Sequence, residues 1–420
     1  MKKGYLIIVG GQSGVGKTTL INELTKKFEK YIRPLSFTTR KRRENENNSE
    51  YEFVNEEVFK QLESSGKFAT IDFVYGNMYA MSYEDVNKKL DSGSLVIKEI
   101  HPKNHNKITE KFENVITVLI KGNKKNNKVR EEDSFYYLNI DECNFDIIVN
   151  YNENDNIENV IKYFDRKILM EIESRNGGLC SRQIDKVNKE GYDKVSDFFD
   201  DSIRVTTANF HELTFKNFKE IIESNLLNNK NVLEVGYGKG WLRKSFIWND
   251  LVNYSAVDIS PNMIHSADEN IKVISSARSL PFSCESYDYV VSSLADPYFY
   301  PEALIEINRV LKEQGLFVFS IPAKEWSSAL REEEHKFTTF SLPNGEYVKV
   351  YSLTYTEDEL HKILKKTGFK VLKIYKGVAS DIDREFMSPA ILKPMINKNI
   401  QSDKFIITYF VICKKETIDE

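Results

Sequence analysis

Apolar residues recur along this chain in two alternating patterns. Short continuous apolar runs occupy Tyr5 to Val9, Leu95 to Ile100, Val115 to Ile120 and Phe145 to Val149. Between them, residues 17–29, 55–65, 83–91 and 157–164 space their apolar side chains at helical pitch, as a helix with one buried face requires. Apolar runs without alternation belong to strands buried on both sides, so the order predicts an α/β fold, a parallel sheet with helices on both faces. The same grammar returns after residue 190, where helical spacing over 192–199 and 210–223 precedes a second series of strands. Between the halves the chain changes character from Asp165 to about Gly191, and Asn176-Gly177-Gly178 marks a break. These features predict a first domain over 1–170, a linker over 171–190 and a second domain over 191–420.

Composition agrees with two domains, because 420 residues exceed one ordinary core. The 41% hydrophobic and 29% charged fractions describe a globular chain, and no apolar run approaches the ~20 residues that cross a bilayer, so no membrane partner is expected. Met1-Lys2-Lys3 leads directly into the first strand, which argues against a cleaved leader. Cys143, Cys180, Cys284 and Cys413 are scattered without metal-ligand spacing and read as apolar side chains in a reducing cytoplasm. With 59 basic against 63 acidic residues and a net charge of −4, long nucleic acid is disfavoured as a partner.

The chemistry begins at Gly11-Gln12-Ser13-Gly14-Val15-Gly16-Lys17-Thr18-Thr19. A strand, a glycine-rich turn and a helix start, in that order, build a cradle of backbone N–H groups for phosphate. Lys17 supplies a point charge for the outer phosphates and Thr18 a hydroxyl for Mg²⁺, so ATP with Mg²⁺ is the expected ligand. Downstream lie Ser36-Phe37-Thr38-Thr39-Arg40-Lys41-Arg42-Arg43, Glu50-Tyr51-Glu52-Phe53, Gly66-Lys67-Phe68 and Gly76-Asn77-Met78-Tyr79. Taken with the first loop, this succession resembles the guanylate kinase family of nucleoside-monophosphate kinases over nearly the whole first half.

The resemblance implies that Ser36, Arg40, Arg43, Tyr51 and Tyr79 grip the phosphate of an acceptor, a task suited to guanidinium forks and tyrosine hydroxyls. It also implies catalytic roles for Lys17, Arg40 and Arg43, a lid cation at Arg130, and Glu99 beside the Mg²⁺. One departure stands out. Where the family reads guanine with a glutamate, a serine and an aspartate, this chain carries Thr70, Met81 and His101. Guanine N–H donors facing a neutral hydroxyl and a thioether would be poorly paired, at about 1–3 kcal/mol each. The expected acceptor is therefore a phosphorylated small molecule other than GMP. A one-residue slip of the alignment would bring in Asp72 or Ser82.

In the second half, Val232-Leu233-Glu234-Val235-Gly236-Tyr237-Gly238-Lys239-Gly240 runs a strand into a glycine turn, a pattern also used by dinucleotide-binding folds. Its continuation through Tyr254 to Ile264, Ala277-Arg278-Ser279-Leu280-Pro281-Phe282, Tyr287 to Leu294 and Ala303 to Pro322 resembles the class I S-adenosylmethionine-dependent methyltransferases. The resemblance implies a Rossmann-like sheet completed by 369–375 and by 405–413, the latter antiparallel at its edge. Gly236, Gly238, Gly240 and Glu234 would face the methionine part of S-adenosylmethionine, and Asp258, with Ile259, its ribose. Ser276, Ala277 and Arg278 would flank the adenine and Leu294 the methyl group. Asp296, Tyr298 and His335 are the polar candidates at the acceptor mouth. The leading expectation is a cytoplasmic bifunctional transferase, kinase and methyltransferase, acting on phosphorylated small molecules in one pathway. The rivals are a catalytically weak docking module joined to an active methyltransferase, and an RNA methyltransferase.

Overall fold

The computed structural model describes residues 3–42, 50–74, 76–122, 140, 144–151, 155–176, 180–199, 204–248, 252–268, 271–331 and 336–416. The chain forms two compact units, Met1–Leu179 and Cys180–Glu420.

In the first unit the elements are β1 (Tyr5–Gly11), α1 (Lys17–Lys27), β2 (Tyr31–Ile32), β3 (Ser36–Thr38), β4 (Tyr51–Phe53), α2 (Glu56–Ser64), β5 (Phe68–Val74), β6 (Asn77–Ser82), α3 (Tyr83–Asp91), β7 (Leu95–Glu99), α4 (His105–Thr109), β8 (Val115–Lys121), β9 (Ile147–Asn150) and α5 (Ile157–Asn176). Strands β2-β7-β1-β8-β9 form a sheet in that order, every pairing parallel. Alternate residues of β1 serve opposite layers: Ile7 and Val9 pack with Leu20, Leu24 and Phe164, while Leu6 and Ile8 pack with Val86 and Leu90. Both faces of the strand are thus covered, which explains its unbroken apolar sequence. A second sheet, β4-β3-β6-β5, holds the acceptor-side residues. Strands β3 and β4 span three residues each, and β5 and β6 mix polar with apolar residues, so periodicity does not announce them.

The segment expected as a linker, 171–190, is largely helical. Helix α5 continues to Asn176, well past the predicted 164, and α6 (Ser181–Val195) begins five residues later. Charged residues disguise this extension because they are satisfied inside the fold: buried Lys167 donates to the carbonyl of Ile148 at 2.7 Å, and buried Glu171 pairs with Arg175 at 2.7 Å.

The second unit continues with α7 (Val205–Ile222), β10 (Asn231–Val235), α8 (Trp241–Ser245), β11 (Asn253–Asp258), β12 (Lys272–Ile274), β13 (Tyr287–Ser292), α9 (Pro301–Val310), β14 (Leu311–Pro322), α10 (Lys324–Leu330), β15 (Phe337–Ser341), β16 (Tyr347–Tyr351), α11 (Glu357–Lys366), β17 (Phe369–Val378), α12 (Pro389–Asn397) and β18 (Ile406–Lys415). The sheet runs β12-β11-β10-β13-β14-β18-β17. Strand β18 is antiparallel to both neighbours, so the predicted direction of 405–413 holds, but the edge position belongs to β17. Burial explains the order: Ile407 to Val411 are all buried, whereas β17 leaves Lys370, Leu372 and Lys373 exposed. Between β14 and α11 lie α10 and the antiparallel hairpin β15–β16.

Candidate functional site

The glycine-rich loop of the first unit brings distant residues together. Gly14 and Gly16 take positive φ values of 74° and 94°, Val15 is buried in the core, and Ser13 and Thr19 stay accessible. The Lys17 ammonium donates to the carbonyls of Gly11 and Gln12 at 2.7 and 2.9 Å and lies 3.4 Å from Glu99. Thr18 Oγ1 donates to Glu99 at 2.8 Å. A hydroxyl beside a carboxylate is a pair of hard oxygen donors, so the set suits Mg²⁺.

Around β3, β4 and β6 the acceptor-side residues gather. The guanidinium of Arg40 lies 5.3 Å from the Tyr51 ring and 5.1 Å from that of Phe53. Tyr79 is opposite Thr38 on one side and Asp72 on the other. Buried Ser36 accepts a 2.6 Å hydrogen bond from Lys98 Nζ, and Lys98 also sits 4.9 Å from the Tyr51 ring. Burial, helped by Arg33, lowers the Lys98 pKa to about 8. Strand alternation accounts for the arrangement: Glu99 points to the phosphate loop, so its neighbour Lys98 points to the second sheet. Lys98 escaped the sequence reading, although a Lys-Glu pair closing an apolar strand was its signal. Arg43 and Arg130 lie outside the described residues.

The three residues expected to read the acceptor do not form one surface. Thr70 and Met81 are paired across β5 and β6, but Met81 is 2% exposed and packs in the core with Leu6 and Ile8. His101 uses Nδ1 to accept the Lys103 N–H at 3.2 Å, capping the turn over 102–104. Of the residues one slip away, Ser82 caps α3, whereas Asp72 accepts from the Asn104 amide and is pushed above the usual carboxylate range by burial.

In the second unit the glycine turn opens on a cavity of ≈ 770 Å³, a size usual for small-molecule sites. Glu234, Gly236, Gly238, Asp258, Ile259, Ala277 and Leu294 line it, as do Asp296 and Tyr298. Gly236 has φ 73°, and a Cβ there would meet the Tyr298 ring at 2.9 Å, so this position requires glycine. Asp258 accepts the N–H groups of Gly238 and Ser260 at 2.8 and 2.9 Å; burial nevertheless raises its pKa to about 6. Buried Glu234 accepts from the Tyr254 hydroxyl and is pushed well up by burial. Leu294 holds a left-handed φ of 56°, an uncommon conformation for a branched side chain.

Three predicted cofactor residues are placed elsewhere. Gly240, with φ 78°, shapes the turn beneath Tyr237 rather than the cavity wall. Ser276 and Arg278 are buried and both donate to Asp185; Ser275 and Ala277 line the cavity instead. A carboxylate supplied by a distant helix draws both side chains away, and no motif around 276–278 reveals it. His335 lies outside the described residues.

Helix α6 supplies what the sequence reading missed. Asp185, Asn188 and Tyr192 follow one another at helical pitch and line the cavity. Asn188 donates to the Pro297 carbonyl at 2.7 Å and accepts the Tyr351 N–H at 2.6 Å. Gly191, where a Cβ would lie 2.4 Å from Val350, lets the helix lie against β16.

Residues 3–169 match the family model "Guanylate kinase" and residues 208–374 the model "Methyltransferase domain". The guanylate kinase of Helicobacter pylori is 38% identical over 128 residues, 30% of this chain and 61% of that protein. That of Thermotoga maritima is 29% identical over 119 residues, 28% and 58% of the two chains. The chain thus spans about three fifths of these curated relatives. Among solved structures, guanylate kinase from Anaplasma phagocytophilum aligns at 20% identity and TM-score 0.32 over 40% of this chain and 86% of that one. An S-adenosylmethionine-dependent methyltransferase from Methanosarcina mazei aligns at 16% identity and TM-score 0.35, over 47% and 98%. Among the described residues no helix is long and apolar enough to cross a membrane. The chain therefore joins a guanylate kinase-like domain, residues 3–169, to a methyltransferase domain, residues 208–374.

Proposed function

We propose that this chain is a cytoplasmic bifunctional transferase that phosphorylates a phosphate-bearing small molecule other than GMP and methylates a small-molecule acceptor, with the two steps in one pathway. The kinase reading rests on the meeting of Lys17, Thr18 and Glu99 at the phosphate loop. ATP with Mg²⁺ brings the transferable phosphoryl group. The loop's N–H groups and Lys17 hold its phosphates, Thr18 and Glu99 supply oxygens to the metal, and Arg40 with Tyr51 and Tyr79 orients the acceptor phosphate. Positioning and charge neutralisation are the main catalytic demands of this chemistry.

The surroundings of the acceptor side support the reading that guanine is not the preferred base. Met81 is committed to the core, Thr70 offers a neutral hydroxyl, and the nearby carboxylate of Asp72 is already held by Asn104. Guanine's N1–H and N2–H would find few free acceptors there.

S-adenosylmethionine supplies an electrophilic methyl group. Asp258, presented at the cavity by two backbone N–H groups, is suited to accept from two ribose hydroxyls, and the Gly236 turn admits close backbone approach. Incubating the full chain with ATP, Mg²⁺, S-adenosylmethionine and a panel of nucleoside and sugar monophosphates, followed by mass spectrometry, tests the proposal. Phosphorylated and methylated products are expected, with the phosphorylation lost in Lys17→Ala. Phosphorylation of GMP at the efficiency of an ordinary guanylate kinase would sink the claim about the acceptor.

A further inference from the structure

Most charged groups lining the methyltransferase cavity have partners. Asp185 holds Arg278, and Lys239 and Lys244 donate to the carbonyls of Asn262 and Lys239 at 3.3 and 2.6 Å. Arg331 donates to the carbonyl and the hydroxyl of Ser352 at 3.1 and 2.9 Å. The same Ser352 hydroxyl bonds Asp296, whose carboxyl burial raises to about 6 and Arg331 draws down. These two opposite charges offset each other.

Arg204 differs. Its Nε donates to the Phe198 carbonyl at 3.3 Å, and its guanidinium lies 4.7 Å from the ring of Phe340. Among the described residues no carboxylate lies within ion-pair distance of it. Burial lowers its pKa, so part of its hydration is lost with no compensating charge among the described residues. The same lining carries Tyr192, Phe199 and Phe340, whose rings are 5.8–6.0 Å apart. Aromatic rings inclined at 59–72° to one another, beside a guanidinium that has no carboxylate partner among the described residues, are complementary to a molecule with an aromatic body that ends in an anion.

We propose that the methyl acceptor of this cavity has an aromatic body and one anionic group, a carboxylate or a phosphate, which pairs with Arg204. This rests on the methyltransferase reading given above. The competing source of an anion is the carboxylate of the cofactor's own methionine part. Arg204 is stacked on the inserted hairpin β15–β16 rather than bound to the Gly236 turn, which favours the acceptor.

All three tryptophans, Trp241, Trp248 and Trp326, lie in the second unit, and Trp241 and Trp326 line the cavity. Their fluorescence therefore reports this site and not phosphate binding at the kinase loop. The full chain, saturated with S-adenosylhomocysteine, is titrated with benzoate, phenyl phosphate and the neutral benzyl alcohol. At least one anion is expected to bind about tenfold or more tightly than the alcohol, the ratio of one charge-assisted hydrogen bond. Whichever anion wins identifies the group. Arg204→Gln should abolish the preference and Arg204→Lys should retain part of it. If S-adenosylhomocysteine binds but the anions show no preference, the proposal is overturned and the methyltransferase reading stands. If it does not bind, that reading fails as well. Weaker binding of S-adenosylhomocysteine but not of 5′-methylthioadenosine in Arg204→Gln would assign the arginine to the cofactor carboxylate and overturn the proposal.

Discussion

Removing Asp185 should destabilise the second unit far more than an average substitution. Its carboxylate is 4% exposed and receives hydrogen bonds from Arg278 Nε at 2.5 Å, from the Ser276 hydroxyl and from the Tyr300 hydroxyl. The Arg278 side chain is 2% exposed. Asp185→Ala therefore deprives a buried guanidinium of its carboxylate and two hydroxyls of an acceptor. Breaking a buried ion pair from one side costs about 3–5 kcal/mol. For a unit of this size each kcal/mol lowers Tm by roughly 2–4 °C, so a fall of about 6–20 °C is expected. Tryptophan fluorescence isolates the second unit, since all three tryptophans lie in it, and a two-unit chain cannot be treated as a single transition. The double variant Asp185→Leu with Arg278→Met should recover part of the loss, because an apolar pair of similar volume replaces the buried ion pair at little cost while the Ser276 and Tyr300 hydroxyls still lack their acceptor. A single-variant loss below about 1 kcal/mol, or a double variant no better than the single, would refute the reasoning.

Two pH dependences follow from buried charges. Lys98 has its pKa lowered to about 8 by burial, so between pH 8 and 10.5 the unfolded chain binds more protons than the folded one, and stability rises with pH. In the unfolding step that circular dichroism sees and tryptophan fluorescence does not, the full chain should gain stability relative to Lys98→Met between pH 8 and 9.5; parallel pH curves would count against a buried ammonium. Asp258 has the opposite sign. Its pKa is raised to about 6 by burial, so the folded state holds the extra proton between pH 4 and 6, and stability of the second unit falls as pH rises through that window. Asp258→Asn should flatten this slope in tryptophan-monitored denaturation, and an unchanged slope would place the titration on another group.

The legible parts of this protein are those where one local rule decides the outcome. Strand β1 is doubly buried, so Leu6 to Val9 had to read as an apolar run. The glycine turns at 11–18 and 236–240 need backbone conformations that few other residues adopt, and Lys17, Thr18 and Asp258 follow them at fixed spacing. The illegible parts depend on long-range pairing. Nothing near Arg278 announces that its partner is Asp185, 93 residues earlier, and the same carboxylate removes Ser276 from the cavity wall. Helix α6 shows why this failure was predictable. Its inward face carries Asp185 and Asn188 beside Ile184, Gly191 and Val195, so an apolar-periodicity reading treats half of that face as solvent-exposed and the segment as a linker. Polar residues at helical pitch on a buried face remain there only when each has a partner, and here those partners are Arg278, the Pro297 carbonyl and the Tyr351 N–H. The face that looked least like a core is therefore the one that organises the site.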